Sequence, residues 1–192
     1  MTRRFLLIPA FLMMVCCGAR LAAAQDPFIA FQNQDYATAL KGFQELASQG
    51  NANAMNNLGL MYSNGLGVTA DQAKAIDWYN QAASKGHLGA VNNLGGMYEM
   101  GQGVAQNYTT AAEKYALAAK YGLTDAQYNL AALYEAGKGV QNDPLQAYIW
   151  YSLAAAMGDP DAAVGRDRMA QVLDPTLRRQ ADEFAASWKP SK

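Results

Sequence analysis

The stretch NLGLMYSNGLGV at residues 57–68 recurs as NLGGMYEMGQGV at residues 93–104 and as NLAALYEAGKGV at residues 129–140. Each copy begins 36 residues after the one before it. A fixed period of this length is typical of chains that stack several copies of one supersecondary unit. The period predicts full units at residues 51–86, 87–122 and 123–158.

Each unit reads as two helices joined by a glycine loop. In the first unit Ala54, Leu58 and Tyr62 lie four residues apart on one helical face, which predicts a first helix near residues 52–63. The Gly-x-Gly-Val sequence that follows predicts the end of this helix and a loop, because glycine readily adopts the positive φ at which helices end. A second helix then begins after a residue whose short side chain can accept from free backbone amides. The residues at that position are Asp71, Asn107 and Asp143.

Neither helix of a unit can bury its apolar face alone, so the units must stack. We therefore predict an all-α fold, an α-solenoid of stacked antiparallel helix pairs with degenerate caps at both ends. The amino-terminal helical cap is predicted at residues 25–50, since Asp35 and Ala39 precede Asp71 and Ala75 by one period. Residues 159–192, with two Asp-Pro helix starts and four arginines, are predicted to form a polar carboxyl-terminal helical cap.

The unit resembles a known repeat. The pattern Asn-Leu-Gly-x-x-Tyr-x-x-Gly-x-Gly-Val, followed by Lys-Ala-x-x-Trp-Tyr-x-x-Ala-Ala, is similar to the Sel1-like repeat, a relative of the tetratricopeptide repeat. Two positions depart from it: Lys114 replaces the tryptophan in unit two, and Ala131 replaces the first glycine in unit three. The resemblance implies a non-catalytic module for protein assembly, of a secreted bacterial type linked to envelope assembly, quality control and host contact.

The first 24 residues have the features of a signal peptide. Arg3 and Arg4 precede an apolar run over residues 5–17, and three alanines at residues 22–24 fit a cleavage site. The run is shorter than the roughly 20 residues that cross a bilayer. We expect cleavage after Ala24, a periplasmic or secreted protein and no membrane insertion after cleavage, with a retained or lipid-linked anchor as the alternative.

Composition argues against several classes of partner. The formal net charge is −1, and the chain has no basic run that would draw it onto nucleic acid. His87 is the only histidine, and the only two cysteines, Cys16 and Cys17, lie within the predicted signal peptide. We expect no nucleic-acid partner, no metal and no cofactor.

Glu99 and Glu135 are the one pair of residues that suggests catalysis. They occupy the same repeat position, and stacked helices lie about 8–10 Å apart, in the loose range for an inverting pair of carboxylates. Because the repeat itself imposes this spacing, we predict no catalytic residue. An envelope hydrolase, β-lactamase-like or peptidoglycan-acting, or a binding modulator of such an enzyme, is the alternative function. His87 is interpreted as a helix cap or an exposed side chain.

The predicted binding site is the concave face. By analogy with tetratricopeptide grooves, it is formed by first-helix side chains that the core leaves free to vary. Without a Lys or Arg among them, these residues should not clamp a terminal carboxylate or phosphate, and we expect a neutral or basic peptide-like or protein partner. The recurring Asn57, Asn93 and Asn129 bind either a ligand backbone or the neighbouring turn or unit. The predicted binding residues are Asn53, Asn56, Asn92, Glu99, Asp125, Tyr128 and Glu135.

Overall fold

The computed structural model describes residues 26–191, and within that range the chain forms ten helices and no strand. The predicted signal peptide lies outside the described residues. The helices are α1 (Pro27–Gln32), α2 (Tyr36–Ser48), α3 (Ala52–Asn64), α4 (Gln72–Ser84), α5 (Leu88–Met100), α6 (Tyr108–Lys120), α7 (Thr124–Ala136), α8 (Pro144–Ala156), α9 (Pro160–Val172) and α10 (Pro175–Ser187).

Three pairs of 13-residue helices form the body of the molecule: α3 with α4, α5 with α6, and α7 with α8. Each second helix also packs against the first helix of the next pair, so the pairs stack in chain order. At the amino terminus α1 packs on α2, and α2 packs on α3. This arrangement confirms the predicted α-solenoid.

The helix starts agree with the sequence. The carboxylates of Asp71 and Asp143 and the amide oxygen of Asn107 accept from backbone amides in the first turns of α4, α8 and α6. His87 caps α5 in the same way through Nδ1, which accepts from the Ala90 amide at 3.0 Å. The capping interpretation of His87 is therefore confirmed. Leu123, at the equivalent start of α7, offers no side-chain cap.

Each Gly-x-Gly loop joins the two helices of its own unit and packs against the second helix that precedes that unit. Gly101 ends α5 with φ of 70°, and Gly103 has φ of 71°. A Cβ atom on Gly103 would lie 2.7 Å from Gln72 Cβ and 3.0 Å from the Gln72 carbonyl carbon, at the start of the preceding second helix. The loop glycine thus allows close approach as well as a left-handed backbone. The glycines at the same positions of the other two loops also have positive φ.

Three tyrosines of the second helices, Tyr79, Tyr115 and Tyr151, are buried in the core. A Cβ atom on Gly95 of α5 would lie 2.6 Å from the Tyr115 ring, and Gly59 leaves the same space for Tyr79. In the third pair, where Ala131 replaces this glycine, the Tyr151 ring lies against Gly165 of α9. Five further aromatic residues are half-buried and pack against the edge of the core: Tyr62, Trp78, Tyr98, Tyr134 and Trp150.

The carboxyl-terminal helices depart from the pattern of pairs. The connection from α9 to α10 has only two residues, and α10 lies against α8. The Tyr148 hydroxyl of α8 donates to the Asp182 carboxylate at 2.6 Å. The exposed surface of α9 and α10 carries mostly charged and polar side chains, among them Arg168, Arg178 and Arg179, and also includes Val164, Val172 and Phe184.

Among residues 26–191 no helix is both long and apolar enough to cross a bilayer.

Candidate binding face

Asparagine side chains join the first helices of successive units. The Asn93 amide nitrogen donates to Asn56 Oδ1 at 3.1 Å, and the Asn129 amide nitrogen donates to Asn92 Oδ1, also at 3.1 Å. All four side chains are half-buried. Asn93 and Asn129 thus bind the neighbouring unit, which is one of the two predicted roles, whereas Asn57 donates to the Asn53 carbonyl of its own helix. We call the side of the array that carries these bonds the first-helix face; it is the face that the sequence predicts to be concave.

A groove of about 400 Å³ opens on the first-helix face beside the asparagine pairs. Asn92, Asn93 and Asn129 line it, and Gly96 of α5 gives it room, because a Cβ atom there would meet only Tyr115 Oη at 3.6 Å and Met100 Cε at 3.8 Å. Of the predicted binding residues, only Asn92 lines the groove. Lining residues absent from the predicted set include Asn64, Met100, Gln102 and Tyr115.

The asparagine pairs leave hydrogen-bonding capacity free. Each side chain has two amide donors and a carbonyl acceptor. Each interhelix bond uses one donor and one acceptor, so the Asn92 amide nitrogen and the Asn93 carbonyl oxygen have no partner within the described part of the chain. Both residues line the groove, which therefore offers one free side-chain donor and one free side-chain acceptor.

The two glutamates of the predicted set each bind a tyrosine of the following helix. The Tyr115 hydroxyl donates to the Glu99 carboxylate at 2.8 Å, and the Tyr151 hydroxyl donates to Glu135 at 2.7 Å. Burial, together with the adjacent carboxylate, raises the pKa of both tyrosines. The hydroxyls therefore remain protonated, and each holds its glutamate against the second helix.

Arg168 of α9 overturns one expectation about charge. It binds Glu135 through two hydrogen bonds of 2.9 and 2.8 Å, so one of the three acidic side chains has a compensating cation from another helix. The bonds from Arg168 lower the pKa of Glu135. Sequence reasoning missed this pair because Arg168 is 33 residues away, in the segment that the sequence assigns to a polar cap.

The other predicted binding residues lie apart from the groove. Asn53 and Asp125 are exposed in the first turns of α3 and α7. The half-buried Tyr128 packs on Tyr151, with ring centroids 5.6 Å apart. The first-helix face thus has an amide-lined half around units one and two, and a half around unit three where tyrosines and an ion pair predominate.

No cluster of three or more potential metal ligands occurs in residues 26–191. The single histidine in the sequence, His87, is engaged through Nδ1 as a helix cap, and burial lowers its pKa. The potential ligands that remain are the acidic side chains, and Glu99 and Glu135 are already bound to tyrosine hydroxyls.

The model of the Sel1 repeat family matches residues 52–87, 89–122 and 124–159. The chain belongs to the Sel1 repeat family. Its fold is similar to that of a Sel1 repeat protein from Oxalobacter formigenes, at 30% identity and a TM-score of 0.72, over 83% of this chain and 68% of that one. Sel1 repeat arrays of this kind are generally scaffolds for protein–protein interaction and are typically non-enzymatic.

A second similar structure is c5321, described as a protective antigen present in uropathogenic Escherichia coli strains and displaying an SLR fold. The identity is 30% and the TM-score 0.66, over 79% of this Sel1 repeat protein and 33% of c5321. This chain therefore spans about a third of that structure. None of the curated proteins compared with the chain matches it.

Proposed function

We propose that this Sel1 repeat protein is a non-catalytic scaffold of the cell envelope or the secreted space that binds an extended segment of a protein partner on its first-helix face. The observation that carries the proposal is the groove beside the asparagine pairs, where the Asn92 amide and the Asn93 carbonyl are both free. A peptide backbone presents the complementary groups, one carbonyl acceptor and one N–H donor for each residue other than proline.

The partner segment is neutral or basic. Glu99 and the exposed Asp125 contribute negative charge to the first-helix face, whereas Arg168 neutralises Glu135. The attraction of a basic segment therefore rests on two carboxylates instead of three. At an exposed surface each pair contributes about 1 kcal/mol or less, so charge adjusts the choice of partner and the groove provides the main contact.

The contacts of Glu99 and Glu135 favour the scaffold over the alternative hydrolase. An inverting hydrolase needs one carboxylic acid with a raised pKa to protonate the leaving group. Arg168 instead lowers the pKa of Glu135, and Tyr115 occupies a carboxylate oxygen of Glu99. Glu135 therefore does not fit the role of the acid, and the Glu99 carboxylate is held by the Tyr115 hydroxyl.

Peptide selection tests this function. Selecting a random peptide library on the purified chain should enrich neutral or basic sequences, and the Asn92→Ala, Asn93→Ala double variant should lose most of the affinity for the selected peptides. Asn80→Ala, on the exposed side of α4, is the matched control and should bind as the wild type does. Enrichment of acidic peptides, or equal affinity for the double variant and the control, would contradict the proposal.

A further inference from the structure

The tail of the chain, residues 188–191, covers Gly122 at the turn between α6 and α7. Pro190 Cγ lies 3.0 Å from the position that a Gly122 Cβ atom would take, and the Trp188 ring reaches within 4.0 Å of it. The Ser191 amide donates to the Lys120 carbonyl at 3.0 Å. Trp188 also meets the Trp150 ring edge-on, with centroids 6.4 Å apart. An aromatic ring, a proline and one backbone hydrogen bond thus hold the tail in place.

One period earlier, the equivalent groove is open. Gly86 occupies the turn between α4 and α5, and no atom lies within 4 Å of the position that its Cβ would take. The groove beside it has a volume of about 380 Å³ and is lined by Ala83, Leu88, Val91, Leu117 and Tyr121. Leu117 and Tyr121 are 46% and 38% exposed, which is high for large apolar side chains that flank a cavity.

The Gly86 groove also offers the backbone group that the tail uses. Ser84 stands one period before Lys120, and its carbonyl accepts no hydrogen bond from any residue of the range that the structure describes. Val91 precedes the buried Gln127 by one period. The polar Gln127 lies near the tail at Gly122, whereas its equivalent Val91 makes the floor of the Gly86 groove apolar. Lys114 precedes Trp150 by one period, so it has the repeat position from which Trp150 contacts Trp188. A lysine ammonium can bind the face of an incoming aromatic ring.

We infer that the Gly86 groove binds an extended segment of a partner protein that carries an aromatic residue followed two positions later by proline. The segment lies as the tail lies at Gly122, with its proline against Gly86 and a backbone amide donating to the Ser84 carbonyl. The occupant is a different protein because the tail of this chain is already bound at Gly122. The inference is independent of the binding proposed for the first-helix face.

A peptide with the sequence of residues 186–192, ASWKPSK, is the probe. Added to the isotope-labelled full chain, it should shift the amide resonances of Gly86, Leu117 and Tyr121 in a saturable manner. The Trp188→Ala, Pro190→Ala version of the peptide should not. Leu117→Glu and, separately, Tyr121→Gln should weaken binding at least tenfold. Lys114→Trp, which gives unit two the residue of units one and three, should strengthen it severalfold.

Val164→Glu is the matched control, since Val164 is an exposed apolar residue on α9, away from the groove. It should bind the peptide as the wild type does, and circular dichroism should show the same helix content for all variants. The inference is overturned if millimolar peptide leaves the Gly86 resonances unshifted, or if the shifts are confined to Lys120 and Gly122. It is also overturned if the chain self-associates and Trp188→Ala abolishes the association, because the occupant is then a second copy.

Discussion

Arg168 of α9 donates two hydrogen bonds to the carboxylate of Glu135 of α7, and the Tyr151 hydroxyl of α8 donates to the same carboxylate. One glutamate thus joins three successive helices. Because Glu135 is on the first-helix face, the last full unit presents a neutralised and braced surface there. In unit two, Glu99 has the tyrosine but no arginine partner among the described residues.

The ion pair predicts a dependence of stability on pH. The pKa of Glu135 in the folded chain lies below its ordinary value of 4.5, because Arg168 and Tyr151 bind the ionised form. The stabilisation is therefore complete above the unfolded pKa and is lost as pH falls through the folded one. A double-mutant cycle with Glu135→Gln and Arg168→Gln at pH 7 should give a coupling of about 1 kcal/mol or less, since Arg168 is half exposed.

The pair Arg179 and Glu183 on α10 is the control for this cycle. Its N···O distance is 4.0 Å and both side chains are largely exposed, so its coupling should be close to zero. Chemical denaturation between pH 3 and pH 7 measures both couplings. Equal couplings for the two pairs, or a Glu135 coupling that does not decline in acid, would contradict the prediction.

The loop glycines allow strain and close approach to be separated. Gly103→Val should lower the free energy of unfolding by on the order of 1–3 kcal/mol or more, from the left-handed backbone and the clash with Gln72. Gly86→Val has the same positive φ but open space at the Cβ position, so it should cost less. Lys138→Ala, at the exposed middle of a loop, should leave the melting temperature nearly unchanged. Calorimetry that ranks Gly103→Val equal to the wild type would refute the close approach.

Adjacent glycines of α5 should respond to alanine with opposite signs. A Cβ atom on Gly95 would lie 2.6 Å from the buried Tyr115 ring, so Gly95→Ala should destabilise the fold by about 1–3 kcal/mol. A Cβ atom on Gly96 would meet only ordinary contacts, so Gly96→Ala should gain up to about 1 kcal/mol from helix propensity. Thermal unfolding of the two variants checks both signs. Destabilisation of equal size at both positions would show that the Tyr115 ring does not decide the effect.

Charge on the first-helix face should affect the affinity for basic partners. Asp125→Lys should leave the melting temperature nearly unchanged. Glu99→Lys removes the acceptor of the Tyr115 hydroxyl and should cost about 0.5–1.5 kcal/mol. Together the two changes should weaken the capture of basic peptides by about tenfold. Glu135→Lys should instead destabilise the chain, because it places a second cation beside Arg168. Binding should also weaken as salt rises, since exposed charges are screened beyond about 8 Å at physiological ionic strength. If neither the substitutions nor salt changes the affinity, charge on this face does not contribute to binding.

The predicted export of the protein, with cleavage after Ala24, can be tested directly. Amino-terminal sequencing of the exported protein should begin at Gln25, directly after the three alanines that fit a signal-peptidase site. Mass spectrometry of the same material should show no lipid. A mature form that retains Cys16 or Cys17 with an attached lipid would make the protein membrane-anchored.

The repeat made the helices predictable, because the helix-capping residues and the loop glycines recur every 36 residues and act locally. The same period pointed to Asn93 and Asn129, and their bonds to the neighbouring unit follow from stacking. The position of Tyr115 beneath the groove did not follow, because it depends on the packing space that Gly95 leaves. Arg168 lies outside the three full units, and no periodicity relates it to Glu135. The course of α10 over α8 depends likewise on a two-residue connection that has no counterpart in the repeats.

The hydrogen bond from Ser191 to Lys120 closes a loop of some 70 residues around the last full unit. In an open solenoid the terminal units unravel first, because each has a neighbour on one side only. Here the last unit cannot loosen without also releasing the tail from the turn that ends unit two. Opening of this end is therefore expected to be concerted.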